Sequence, residues 1–259
     1  MVIGPSVDPC SLPVKERVAL VCESDGVLVD LLSNTQIRGS LNLSNLKQLT
    51  HLPRQLSVTN DLIVKNCPRL VSISDDLQVG NSLVLSGCTS LASLPYGLKV
   101  NRLIADKCTT LKHIAGLRTK GKVSMCECPS LVEIPSDIYI GTDLHLDGCR
   151  NLRRLPTNFS VKNGRLSIRD CTSLAELPDD LCVGTHLSAS GCKALRRIGR
   201  RTFVGMNLDL EYCSSLQEIP KDIVVLGTFY LTGCTSLKKM PKLVPPSRIL
   251  QLSRVEVTP

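Results

Sequence analysis

The chain has 259 residues, a formal net charge of +8, 42% hydrophobic residues and only 3% aromatic residues, with no tryptophan. No apolar stretch approaches the roughly 18 residues that a membrane-spanning helix needs, and the N-terminus lacks the charged start and apolar run of a Sec signal. We therefore expect neither membrane insertion nor Sec export, but a protein that is soluble in a cytosol.

The first 39 residues are predicted to form an N-terminal cap and a link. Ser11 and Pro13 are residue types that begin helices, and they predict a helix over about residues 12–23. The predicted apolar face of this helix is formed by Val14, Val18, Val21 and Cys22. Residues 26–32 predict a strand or a strand-like link, which leaves room for one degenerate repeat.

Residues 40–259 contain a repeat. Its clearest copy is Leu83-x-Leu85-x-x-Cys88-x-x-Leu91-x-x-Leu94-Pro95-x-x-Leu98-x-Val100. Nine cysteines recur in this frame at steps of 20 to 22 residues: Cys67, Cys88, Cys108, Cys128, Cys149, Cys171, Cys192, Cys213 and Cys234. Two further copies keep the step but lack the cysteine, and they begin at Leu41 and Leu250. The sequence thus predicts eleven repeats, which we call rungs.

One 21-residue unit cannot bury its own apolar face, so stacked rungs must share a continuous core. The Leu-x-Leu segment predicts a short strand with its leucines inward, in a parallel sheet on a concave face. The Leu-Pro step turns the chain, and the short Leu-x-Val return favours extended rather than helical backbone on the convex side. This arrangement resembles a leucine-rich repeat solenoid.

The recurring cysteine is interpreted as a small inward-facing core residue. Two alternatives remain open at this point. Adjacent rungs are close enough for a disulfide, although parallel side chains and a reducing cytosol disfavour one. Metal binding needs clustered ligands, and only Cys126-x-Cys128 comes near that pattern.

The outward positions of the concave sheet are the predicted partner-binding surface. Ile63, Val84 and Ile104 are expected to form an exposed aliphatic stripe on three successive strands, which is typical of an interface. Near the other end, Asp209, Glu211, Tyr212 and Tyr230 form an acidic and aromatic patch. The remaining predicted contact residues are Lys65, Asp106, His145, Asp147 and Arg169.

A lateral stripe of charge lies four and five residues after each cysteine. From Cys108 onward basic rungs alternate with acidic ones, as in Arg153-Arg154, Ala175-Glu176 and Arg196-Arg197. We expect each glutamate to lie between two cations and to help hold the rungs in register.

The densest basic cluster suggests an alternative function. Its residues are Lys193, Arg196, Arg197, Arg200 and Arg201, and they could bind nucleic acid or another acidic surface. The few Phe and Tyr residues are not interleaved with these cations, so no base-stacking platform is apparent and nucleic acid is the less favoured partner.

Catalysis has little support in the sequence. Cys126, His145 and Asp147 are expected on one face of neighbouring strands and superficially resemble a Cys-His-Asp set. An open sheet offers no oxyanion hole, and the usual phosphate-loop, zinc-protease and serine-hydrolase motifs are absent from the sequence. We predict a non-enzymatic protein without a metal or another cofactor.

The C-terminal end differs from the middle of the chain. Pro245-Pro246 precede the last Leu-x-Leu, and no capping helix is apparent after it. An uncovered last rung would expose apolar side chains and a strand edge. Either the Val255-x-Val257 tail covers it, or a partner does, or the chain belongs to a longer protein, and self-association at this end is one of these alternatives.

The Leu-Pro turns at Leu52-Pro53, Leu94-Pro95, Leu155-Pro156 and Leu177-Pro178, with returns such as Leu98-x-Val100, resemble the bacterial type of leucine-rich repeat. Such repeats occur in effectors that pathogens inject into host cells, including the recognition regions of the novel bacterial E3 ubiquitin ligases. The chain departs from that pattern in having Cys where Asn is usual, and it lacks the ligase domain. The resemblance implies a non-enzymatic module that recognises a protein, in a bacterial cytoplasm or inside a host cell.

Overall fold

The computed structural model describes residues 9–238 and the strand Ile249–Leu250. The chain forms a parallel β-solenoid, which confirms the predicted fold class, and one face carries an 11-stranded sheet whose strands lie in chain order. We call it the main sheet; it corresponds to the predicted concave face. Its strands are Leu41–Asn42, Leu62–Ile63, Ser82–Val84, Arg102–Ile104, Val123–Ser124, Leu144–His145, Leu166–Ser167, Leu187–Ser188, Leu208–Asp209, Phe229–Tyr230 and Ile249–Leu250.

The register of the main sheet stacks equivalent residues of successive rungs. Leu62 pairs with Leu83, and Leu83 pairs with Leu103. The last strand differs from the prediction, because Phe229 pairs with Ile249 rather than with Leu250. Ile249, Leu250 and Leu252 are all apolar, so the alternation of apolar and polar residues does not decide which of them pairs with Phe229.

A second row of two-residue strands returns the chain to the main sheet, and we call it the return face. These strands are Gln36–Ile37, Ser57–Val58, Gln78–Val79, Lys99–Val100, Arg118–Thr119, Tyr139–Ile140, Ser160–Val161, Cys182–Val183, Phe203–Val204 and Val224–Val225. The predicted extended return is confirmed. Unlike the main sheet, the return strands form three separate sheets, of three, three and four strands.

The core consists of apolar columns that run along the solenoid. The two inward residues of a main-sheet segment, such as Leu83 and Leu85, are buried, as are the leucine three residues after the cysteine and the next inward residue, such as Leu91 and Leu94. Polar exceptions are satisfied locally. Thr202 occupies an apolar column, and its buried hydroxyl donates to the Gly199 carbonyl at 2.8 Å.

The nine repeat cysteines are buried, and each thiol donates a hydrogen bond to a carbonyl oxygen of the preceding rung. The acceptor is always the second inward residue of the preceding main-sheet segment. The pairs are Cys67 with Leu43 (3.2 Å), Cys88 with Val64 (3.1 Å), Cys108 with Leu85 (3.2 Å), Cys128 with Ala105 (3.2 Å), Cys149 with Met125 (3.0 Å), Cys171 with Leu146 (3.3 Å), Cys192 with Ile168 (3.0 Å), Cys213 with Ala189 (3.2 Å) and Cys234 with Leu210 (3.0 Å).

These bonds explain the exception in the first rung. Leu46 occupies the cysteine position there, and among the described residues no earlier main-sheet strand offers a carbonyl to a thiol. The nine repeat cysteines are buried in the core and form no disulfide, which agrees with the packing interpretation of the cysteine ladder. Burial raises the pKa of Cys88 and Cys149 to about 12, which keeps both sulfurs protonated and unreactive at neutral pH.

The N-terminal cap consists of a 3-10 turn at Pro9–Ser11, the helix Val14–Glu23 and a second 3-10 helix at Val29–Leu32. The helix is confirmed, but Pro13 rather than Ser11 is its N-cap residue, and no side chain caps it. Val21 is buried, whereas Cys22 is exposed. Cys22 therefore does not belong to the buried apolar face that was predicted for this helix.

Two expectations for the cap are wrong in detail. Residues 26–32 form turns and the 3-10 helix instead of a strand, because Gly26 has a φ of 89° and turns the chain against Leu49 of the first rung. The first return strand, Gln36–Ile37, lies inside the segment predicted as cap and link. The expectation for the tail Val255-x-Val257 falls outside the described residues.

Candidate functional site

The predicted aliphatic stripe is assembled, but it is not fully exposed. Ile63 pairs with Val84 and Val84 pairs with Ile104, as expected. Val84 is only 7% exposed, and Ile63 and Ile104 are half-buried. Parallel strands about 4.8 Å apart bring these side chains into contact, so each covers its neighbours. The expected exposure of Val84 is therefore wrong, and the stripe offers less apolar surface than predicted.

Two carboxylates among the predicted contact residues are held by the neighbouring rung. Asp106 Oδ1 accepts hydrogen bonds from Ser124 Oγ at 2.7 Å and from the Cys126 N–H at 2.8 Å. Asp147 Oδ1 accepts one from the Arg169 N–H at 2.9 Å. These side chains bind backbone amides beyond the strand ends, which is a structural role that the sequence pattern did not indicate.

The Cys-His-Asp combination has no catalytic geometry in the described part of the chain. No hydrogen bond joins Cys126 to His145 or His145 to Asp147 there, and the Cys126 sulfur lies 3.6 Å from Ser124 Oγ. Burial raises the pKa of Cys126, whereas a nucleophilic thiol needs a lowered pKa. Burial also lowers the pKa of half-buried His145, aided by Lys122. That the chain is not an enzyme stays a prediction.

A pocket of about 280 Å³ lies on the main sheet near its C-terminal end. It is lined by Arg165, Arg169, His186, Leu187, Ser188, Asn207, Asp209, Glu211 and Tyr230. Four of the predicted contact residues thus meet there: Arg169, Asp209, Glu211 and Tyr230. Lys65 is exposed and lies near the other end of the sheet.

Hydrogen bonds preorganise the floor of this main-sheet pocket. Asp209 Oδ2 accepts a bond from Ser188 Oγ at 2.8 Å and lies 3.8 Å from Arg169 Nη2. Arg169 Nε donates to the same Ser188 hydroxyl at 2.7 Å. Tyr230 lies beside Asp209 on the next strand, where the two are register partners. The carboxylate of Glu211 makes no ion pair among the described residues.

Tyr212 occupies an unusual backbone position at the end of the same strand segment. The residue before each of the nine repeat cysteines has a positive φ; four of these residues are glycine, and Tyr212 has a φ of 59°. A bulky side chain is rare in this region and persists where its surroundings hold it. Its ring lies against Gly233 of the next rung and is 56% exposed.

The predicted basic cluster is partly neutralised. Arg197 pairs with Glu176 at 2.8 Å and with Asp179 at 3.1 Å, and Arg201 pairs with Asp180 at 2.6 Å. Asp179 and Asp180 belong to the preceding rung, and their contribution was missed in the sequence. Three cations of the cluster have no ion pair among the described residues: Lys193, Arg196 and Arg200.

The lateral charge stripe is confirmed in part. Isolated parallel β-bridges between the backbones align Glu133 with Arg154, and Arg197 with both Glu176 and Glu218. Arg154 Nε donates to Glu133 Oε2 at 2.8 Å. However, Glu133 and Glu176 each pair with an arginine of the following rung rather than with cations on both sides.

Glu176→Lys should lower the free energy of unfolding by about 1 kcal/mol at low salt, since it removes an exposed pair and adds a like charge beside Arg197. The loss should shrink in 1 M salt. Denaturant titration of the wild type, of this variant and of Glu176→Gln separates the lost attraction from the new repulsion. Equal stability of all three proteins at low salt would show that the stripe does not stabilise the rungs.

A groove on the return face was missed in the sequence. A pocket of about 590 Å³ lies between the first and second return sheets, and one of about 330 Å³ lies between the second and third. Tyr139 lines both of them. We call the combined feature the return groove; its charged residues are Lys99, Arg118, Lys120 and Lys162, and its aromatic residues are Tyr139 and the buried Phe159.

The sequence does contain a signal for this groove. The inward return residue and the next inward main-sheet residue are usually four positions apart, as in Val79 and Leu83. They are three apart at Val100 and Leu103, and five apart at Val161 and Leu166. These two irregular turns are next to the two pockets.

Within residues 9–238, no group of three or more His, Cys, Asp or Glu side chains is arranged to hold a metal ion. None of the helices in this part of the chain has the length and apolar character that a bilayer crossing requires.

Comparison with known proteins supplies a structural neighbour. No protein-family model matches the chain, and no curated protein matches it significantly. One similar solved structure is the crystal structure of a leucine-rich repeat protein from Bacteroides ovatus, with 19% sequence identity and a TM-score of 0.45. The match covers 74% of this chain and 54% of the other, so the chain spans about half the length of that neighbour.

Proposed function

We propose that the chain is a non-enzymatic protein-recognition module that binds its partner on the main sheet, centred on the pocket at Arg169, Asp209, Glu211 and Tyr230. The observation that carries the proposal is the convergence of these four residues, from three of four successive rungs, on one pocket. Tyrosine and arginine are the residue types that most often dominate binding energy at protein interfaces.

The charges of the pocket favour a cationic side chain of the partner. Asp209 already accepts a hydrogen bond from Ser188 and faces Arg169. The Glu211 carboxylate has no ion pair among the described residues and lines the same pocket as Tyr230. A partner lysine or arginine could bind Glu211 and stack on Tyr230. Tyr212, held in a strained backbone conformation beside this pocket, adds an exposed aromatic contact.

The finer proposal is that this module acts as a secreted bacterial effector and binds a host protein. The Leu-Pro turns and Leu-x-Val returns support it through their resemblance to effector repeats. Virulence, the route of secretion, the residence of the protein in a bacterial or host cytoplasm, and self-association at the C-terminal end all belong to this proposal.

A photo-crosslinking residue at position 230 tests the proposed binding site. Tyr230→benzoylphenylalanine should crosslink to a discrete protein in host-cell lysate, whereas Val132→benzoylphenylalanine, on the exposed lateral face, should not. For the identified partner, Tyr230→Ala or Glu211→Gln should each weaken binding by about tenfold, and Val132→Ala should not change it. Crosslinking from position 132 alone, or undiminished binding by both main-sheet variants, would contradict the proposed site.

A further inference from the structure

We infer that the return groove binds single-stranded nucleic acid, with its cations on the phosphates and Tyr139 stacked on a base. The groove lies on a different face from the main-sheet pocket, so this activity is separate from protein recognition. It also differs in place from the basic cluster at residues 193–201.

The first argument is uncompensated charge. Lys99, Arg118 and Lys120 line the larger pocket, and no carboxylate lines it with them. None of the three forms an ion pair among residues 9–238. Arg197 and Arg201, in contrast, are bound by carboxylates of the preceding rung. The positive charge of these three residues is therefore not neutralised by a neighbouring carboxylate, which suits a phosphate backbone.

The second argument is the position of the aromatic residue. Lys99 pairs in register with Arg118, and Arg118 pairs with Tyr139, so the three occupy the same position on consecutive return strands. Tyr139 is 55% exposed and lines both pockets. An exposed ring beside a row of cations is the arrangement that binds single strands, because every base has a face that can stack.

The third argument is continuity. Lys162 lines the smaller pocket on the far side of Tyr139, so cations lie on both sides of the ring. Lys99 and Lys162 lie three rungs apart, and rungs stack at roughly 4.8 Å or more, so the groove is long enough for two or three nucleotides. An acidic peptide would also be attracted to these cations, but it would not require an exposed ring between them.

Fluorescence anisotropy with a labelled ten-nucleotide oligo(dT) tests the inference. The wild type should bind it at 50 mM salt, and log K should fall with log salt. Lys99→Gln/Arg118→Gln/Lys120→Gln should weaken binding by about tenfold and reduce the salt slope by about 2. Tyr139→Ala should weaken binding by about tenfold, whereas Tyr139→Phe should restore it, because the ring rather than the hydroxyl stacks.

The matched control is Lys193→Gln/Arg196→Gln/Arg200→Gln, which removes the same net charge from the lateral cluster and should change the affinity by less than about twofold. Circular dichroism verifies that each variant is folded. No binding by the wild type, or equal losses from both triple variants, would overturn the inference. An acidic peptide that competes equally well with wild type and Tyr139→Ala would assign the groove to acidic proteins instead.

Discussion

Raising the pH from 8 to 10 is expected to remove about 5 kcal/mol from the free energy of unfolding through four buried thiols alone. Burial raises the pKa of Cys108 and Cys234 to about 11, and that of Cys88 and Cys149 to about 12, from an ordinary value of 9.0. Between these values the unfolded chain has lost protons that the folded chain retains. The contribution is therefore complete below pH 9 and is lost as the pH rises towards 12.

Denaturant unfolding at pH 8, 9 and 10 under reducing conditions measures this effect. Lysines and tyrosines also titrate in this range, so the informative quantity is a difference between proteins. Cys88→Ala/Cys149→Ala should be less stable than the wild type at pH 8, but should lose about 3 kcal/mol less between pH 8 and 10. Cys10→Ser, at an exposed site, should follow the wild type. Parallel pH curves for all three proteins would show that the buried thiols do not control alkaline unfolding.

Gly141→Ala should cost about 3 kcal/mol of stability, because the new methyl group would force two rungs apart. A Cβ built on Gly141 overlaps the carbonyl oxygen of Lys120 in the preceding rung. The Gly141 N–H also donates to the Thr119 carbonyl at 2.9 Å, so the backbone cannot move away without losing that bond. Urea unfolding followed by circular dichroism gives the change in stability.

The control is Gly97→Ala, at a glycine where an added Cβ would have no atom within 4 Å but where φ is 70°. It should cost only about 1 kcal/mol, because an alanine there has an unfavourable backbone conformation but meets no steric overlap. Equal effects of the two substitutions would mean that rung spacing at Gly141 is adjustable and that close stacking is not what requires glycine.

The solenoid could be predicted because its determinants are local and repeated. The Leu-x-Leu strand, the small residue at the cysteine position and the extended return each recur often enough for the common pattern to be evident. Where the pattern is interrupted, prediction failed for physical reasons. Adjacent apolar residues at Ile249 and Leu250 left the register ambiguous, and the turn at Gly26 depends on a contact with Leu49 that no local pattern indicates.

The candidate site was less predictable, because contacts between rungs decide which outward side chains are available. The two-residue alternation of the strands predicted that Val84 and Asp147 are outward and available. In the structure, neighbouring rungs cover Val84 and donate a backbone hydrogen bond to Asp147. Alternation did bring Asp209 and Tyr230 together in register. The return groove depends on turn lengths at two rungs, and one residue more or less has a visible effect only when the rungs are stacked.

The thiol bonds run in one direction along the chain, from each rung to the one before it. The Leu43 carbonyl, which accepts the bond from Cys67, precedes that cysteine by 24 residues. A ribosome therefore releases every acceptor before the thiol that will use it, and the N-terminal cap emerges before the rungs. The rungs can therefore fold in the order in which they are synthesised. Each new rung packs on the preceding one, and no contact with a distant later part of the chain is required.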